Sequence, residues 1–138
     1  MIGIVLVSHG HLAKEFANTL EHIVGKQDQL TTIGLFPTDD IEAKRESILK
    51  AVGTVENGQG VVILTDMFGG TPSNLAHSLL EGNNVEIVAG MNLPLLIKLT
   101  SVRKTKPLHE AVLIAQEAGR KYIQVASHVL NDPLTADD

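Results

Sequence analysis

His9 stands at the end of one apolar run, Ile2, Ile4, Val5, Leu6 and Val7, and Asp66 follows another, Val61 to Leu64. If the two runs are neighbouring strands, the imidazole and the carboxylate face one crevice. A carboxylate beside an imidazole fixes its tautomer, so that one ring nitrogen keeps a proton and the other a free lone pair. A lone pair held in this way is what a nucleophilic histidine needs. Gly69-Gly70-Thr71-Pro72 comes next, with Thr71 as an N-cap and Pro72 at the first helical position. A helix start presents unpaired N–H groups and a partial positive charge, which suit phosphate. The glycines allow the backbone to approach an anion closely. Nucleophile, orienting acid and anion cradle could together hold a phosphoryl group on His9.

Each of these residues has a plainer reading. His9 could be a histidine packed at a strand end. Asp66 could itself accept a phosphoryl group, as in receiver domains, or bind a metal. A receiver-type site needs further acids after the first strand, and here Ser8-His9-Gly10 occupies that place. Asp39 and Asp40 read as cap residues ahead of a helix. His11 makes a His-x-His pair with His9, but without cysteine or a third ligand nearby no zinc site is expected, and His11 reads as an exposed residue of the first helical turn. His22, His77, His109 and His128 read as surface or partly buried residues, His77 alone lying near the site in sequence. Asn92 either lines the crevice or serves the turn before Leu93-Pro94. No Walker lysine follows a glycine run, and Gly58-Gln59-Gly60 precedes a strand rather than following one, so neither nucleotide fingerprint applies.

The elements that must position these groups alternate. After the first strand, Leu12, Phe16, Leu20, Ile23 and Val24 recur at helical spacing up to Gly25. Ile33, Leu35 and Phe36 predict a second strand, then Ile41, Ile48, Leu49 and Val52 a second helix, with Gly53, Gly58 and Gly60 bracketing a polar turn. Val61 to Leu64 is the third strand; Val85, Ile87 and Val88 are a fourth, ending near Gly90. Leu93 to Val102 reads as helix, and Leu108, Ala111, Val112, Ala115 and Gly119 line a last long helix. Ile123, Val125, Ser127 and Val129 alternate with other residues and predict a fifth strand. Strand and helix in alternation predict an α/β fold, three layers α/β/α around a mainly parallel sheet of order 2-1-3-4. Its switch point falls between strands 1 and 3, where such sheets bind ligands.

Composition limits the function. The chain has 138 residues, 43 % of them apolar, which fits one domain with a real core. The formal net charge is −5, against nucleic acid as a partner. Aromatics are 3 %, so stacking platforms for bases or sugars are not expected. No run approaches the roughly 20 apolar residues of a membrane span, and the short apolar start lacks a basic lead-in, so a cytoplasmic protein is expected. Residues 1–130 form the expected domain, and 131–138 an acidic tail.

Three stretches carry a resemblance. Ile4-Val5-Leu6-Val7-Ser8-His9-Gly10, Leu64-Thr65-Asp66-Met67-Phe68-Gly69-Gly70-Thr71-Pro72-Ser73-Asn74 and Val88-Ala89-Gly90-Met91-Asn92-Leu93-Pro94 resemble, in order, the signature segments of a known family. It is the mannose-type enzyme IIA components of the bacterial phosphoenolpyruvate-dependent sugar phosphotransferase system (PTS). The likeness runs from residue 1 to about residue 130.

The resemblance implies a phosphotransferase component. His9 would accept a phosphoryl group on Nε2 from the phosphohistidine of HPr, and Asp66 would bond the other ring nitrogen. Gly70, Thr71 and Ser73, at the start of the next helix, would receive the phosphate. The group would pass to a IIB component and then to a sugar entering through a membrane permease, the only membrane link. No cofactor and no metal is implied. The family fold adds an antiparallel fifth strand exchanged within a homodimer, a role that falls on Tyr122 to Leu130. Many members carry a IIB domain on the same chain, for which 138 residues leave no room. The chain would then serve a separate IIB, or be a regulatory IIA whose phosphorylation state controls protein partners. A small phosphohydrolase or a metal-dependent enzyme using Asp66 is the third reading.

Overall fold

A computed structural model of the chain describes residues 1–67 and 84–131. The apolar runs become strands because a parallel strand covered on both faces must be apolar throughout. β1 (Gly3–His9) is buried along its length except at His9. β3 (Val61–Thr65) is wholly buried. β2 (Leu30–Leu35) and β4 (Val85–Ala89) flank them, giving a four-stranded sheet of order β2-β1-β3-β4 among the described residues. Every pairing is parallel: β1 meets β2 from Ile4↔Leu30 to His9↔Leu35, and β3 from Gly3↔Val61 to Val7↔Thr65. The expected strand order is the observed one.

The two faces of the sheet carry separate cores. Ile2, Ile4, Leu6, Val62 and Leu64 pack against α1 (Leu12–Val24), α3 (Leu93–Val102) and α4 (Leu108–Lys121). Val5, Val7, Val61 and Ile63 pack against Ile48 and Val55 of α2 (Ile41–Val55) on the other face. α2 runs through Gly53, which the turn reading had placed outside it. Val55 needs that extra turn to reach the sheet: it is buried, and a Cβ on Gly3 would meet its carbonyl oxygen.

At the N-terminal ends of the strands lies Arg103, fully buried directly after α3. Its guanidinium donates to the carbonyls of Ile2, Asp28 and Gln29 and to the side chain of Gln27. The two terminal nitrogens are matched as a buried cation requires, while Nε is buried with no hydrogen-bond partner among the described residues.

The C-terminal segment corrects one expectation. Tyr122 to Leu130 does not form a fifth strand: residues 123–125 belong to no ladder and Ala126–Asn131 is a short helix, α5. The N–H groups of His128 and Val129 return to the Val125 carbonyl. A strand needs a neighbour to take its backbone bonds, and in this single chain the segment closes them locally instead. Tyr122, Ile123, Val125 and Leu130 are left exposed.

Candidate functional site

β1 delivers His9 as its last residue, level with Leu35 of β2. The chain then turns sharply into α1: Gly10 takes φ +54°, a left-handed conformation that glycine adopts at little cost, and donates its N–H to the Leu35 carbonyl at 2.8 Å. Gly34 makes room for this turn, since a Cβ there would overlap the Gly10 carbonyl oxygen. Ser8 is fully buried beneath it. Its hydroxyl accepts the Ala13 N–H at 2.6 Å and donates to the His9 carbonyl at 3.1 Å.

β3 delivers Asp66 one residue past its end. Asp66 Oδ2 lies 2.8 Å from His9 Nδ1 and accepts the His9 backbone N–H at 3.0 Å. Oδ1 accepts the Met67 N–H at 3.0 Å. Burial raises the Asp66 pKa, but the hydrogen bonds from the His9 ring and amide, the charge of His9 and Asp66's own backbone outweigh it, and the value falls below the ordinary 3.8. Asp66 is therefore a carboxylate at neutral pH. An ionised carboxylate only accepts hydrogen bonds, so Nδ1 carries the ring proton and Nε2 keeps the lone pair. The His9 side chain is 52 % exposed while that of Asp66 is 12 % exposed. The ring can meet another protein while its partner stays shielded.

Beside His9 opens a cavity of about 270 Å³ walled by Gly10, Leu35, Phe36, Pro37, Asp39, Ile41 and Lys44. Phe36 and Ile41 are exposed on it, as are Leu12 and Met67 near the same strand ends. Asp40 is the N-cap of α2, accepting the Glu42 N–H. Asp39 folds back to accept the Phe36 N–H at 2.7 Å and sits 3.7 Å from Lys44. His11 is the N-cap residue of α1, with its ring edge-on to Phe36 at 5.0 Å.

Gly70, Thr71, Ser73 and His77 lie outside the described residues. Of the two readings of Asn92, its hydrogen bonds support the turn. Its side chain accepts the Leu95 N–H as the N-cap of α3 and donates to the Gly119 carbonyl of α4. His109 stands 3.6 Å from Glu86, and His22 and His128 are exposed on helices. Among the described residues there is no group of three or more His, Asp or Glu side chains placed to share a metal ion, and no helix long and apolar enough to cross a membrane. The Ser8 hydroxyl is hard to read from the sequence because a serine before a strand-end histidine has no periodic signature. The nearest signal was the Ser-His-Gly order itself.

The class that this fold and site define is an α/β-sheet protein with one half-exposed imidazole, backed by a shielded carboxylate, at the switch point of its sheet. The chain belongs to the family described as the PTS system fructose IIA component (EIIA-man), whose model matches residues 3–116. It is 30 % identical over 125 residues to the PTS system mannose-specific EIIAB component of Escherichia coli (strain K12), covering 89 % of this chain and 39 % of that one. It is 28 % identical over 138 residues to the PTS system fructose-specific EIIA component of Bacillus subtilis (strain 168), covering 99 % and 94 %. Among solved structures, the PTS IIA protein associated with the fucose utilization operon from Streptococcus pneumoniae superimposes with a TM-score of 0.80 at 32 % identity, covering 92 % of this chain and 95 % of that one.

Proposed function

We propose that the protein is a cytoplasmic phosphocarrier of the sugar PTS, with His9 as phosphoacceptor. The observation that carries this reading is the 2.8 Å contact of Nδ1 with Asp66 Oδ2 on a ring whose other side is open to solvent. The Nε2 lone pair attacks the phosphorus of phosphohistidine on HPr. The donor P–N bond breaks as the new one forms, and the electron pair of the broken bond returns to the donor imidazole. No proton has to move. The positive charge that grows on the His9 ring is met by the Asp66 carboxylate, already in place before reaction. The protein's work is positioning and electrostatics, as in other phosphoryl transfers. Transfer to a IIB histidine is the same step in reverse on a second partner. Gly70, Thr71 and Ser73 receive the phosphate oxygens in this reading, and no metal or cofactor takes part.

The exposed apolar segment Tyr122 to Leu130 is the surface that a second copy of the chain covers, with residues 1–130 forming the domain and the acidic tail beyond it.

Incubation with phosphoenolpyruvate, enzyme I and HPr should load one phosphate per chain, labile to acid and stable to base. A His9→Ala variant should take none. Undiminished labelling of that variant would remove His9 from the reaction.

A further inference from the structure

We infer that Ser8 is a positioning residue for His9, its buried hydroxyl holding the peptide that carries the reacting ring. The inference rests on the phosphoacceptor reading and extends it to a side chain that meets neither phosphate nor partner.

Three of the polar groups of His9 are tied to side chains. The ring Nδ1 and the backbone N–H both go to Asp66 Oδ2 on β3. The carbonyl goes to the Ser8 hydroxyl, which also takes the Ala13 N–H in the first turn of α1. Asp66 therefore anchors the ring and the leading side of the residue, and Ser8 anchors the trailing side. Without the hydroxyl, the peptide between His9 and Gly10 loses its tether to α1 and keeps only the bond from the Gly10 N–H to the Leu35 carbonyl of β2. Gly10, at φ +54° and with nothing within 4 Å of the place a Cβ would take, offers little resistance to rotation. The ring would leave Asp66 for part of the time, releasing the tautomer and carrying Nε2 off the line of attack. In-line transfer is sensitive to such errors: a displacement of about 1 Å can cost up to about a hundredfold in rate. Ser8 is fully buried and the Ala13 bond is short, so solvent has no ready access to replace the hydroxyl.

The test compares Ser8→Ala, Ser8→Thr and Ser8→Cys with wild type, in labelling by phospho-HPr and in the 15N NMR spectrum of the His9 ring. Ser8→Ala is expected to load about tenfold more slowly at saturating donor. The donor concentration for half-maximal rate should not change, because the docking surface is untouched. Ser8→Thr keeps the hydroxyl and should return to within about twofold of wild type. Ser8→Cys is near in size but a poor hydrogen-bonding group; it should behave like Ser8→Ala, and it answers the question if the alanine variant does not fold. In the spectra, wild type and Ser8→Thr should show the single Nδ1–H tautomer, and Ser8→Ala or Ser8→Cys a mixture. Wild-type rates with a single tautomer in Ser8→Ala and Ser8→Cys would overturn the inference, as would a loss confined to donor affinity. If wild type takes no label, the phosphoacceptor reading fails, and the ring spectra still decide whether Ser8 holds His9.

Discussion

At the scale of residues, the site is one carboxylate with three donors around it. Asp66 receives the His9 ring, the His9 amide and the Met67 amide, and its pKa lies below the ordinary 3.8 as a result. A folded-state pKa below the unfolded one gives stability that is present above the unfolded value and is lost as pH falls through the folded value. Replacing Asp66 by Asn should therefore cost about 1–3 kcal/mol at pH 7. That deficit should shrink as pH falls below the ordinary 3.8 and the wild-type carboxyl takes up its proton. Thermal unfolding of both proteins across that range measures it; a deficit independent of pH would mean that the carboxylate charge contributes nothing to the fold. The variant should also load phosphate more slowly, because an amide no longer balances charge on the ring.

At the scale of elements, the β1–α1 turn depends on a glycine in the neighbouring strand. Gly34 lies within β2, where a β-branched residue would be the better strand former. The Gly10 carbonyl takes the space of its missing side chain. Gly34→Ala must displace either β2 or the turn that carries His9, at about 1–3 kcal/mol. Both the melting temperature and the rate of phosphate loading should fall. A loss of stability with normal loading would show that β2 gives way and the turn stays put. This contact was invisible in the sequence, since nothing local joins residues 10 and 34. The strands themselves were legible, because burial on both faces writes itself as unbroken apolar runs such as Val61 to Leu64. Their ends marked His9 and Asp66 for the same reason: the polar residue that stops such a run emerges at the edge of the sheet. The alternation after Tyr122 misled because period two describes a strand only where a neighbour supplies hydrogen bonds. Asn92 was ambiguous because capping and lining a crevice both call for a short polar side chain after a strand.

The whole molecule is polarised along its strands. At one end Arg103 is sealed among the carbonyls of Ile2, Asp28 and Gln29. At the other, His9, Phe36, Ile41 and Met67 face solvent. Tyr122, Ile123, Val125 and Leu130 form a further exposed apolar edge, with Ile123 beside Ala89, Gly90 and Asn92 where β4 ends. Wild-type protein should sediment as a dimer, and an aspartate in place of Ile123 should shift it to monomer. A monomeric wild type at micromolar concentration would assign that edge to some other partner.

Asp66 Oδ2 commits both its lone pairs to one residue, one to the ring and one to the chain that bears it. Whatever alters the electrical state of the imidazole must therefore also alter the grip on the peptide at the tip of β1. A visiting protein would feel the difference in the contour it touches. The charge of the ring and the shape of the strand tip are linked through a single atom.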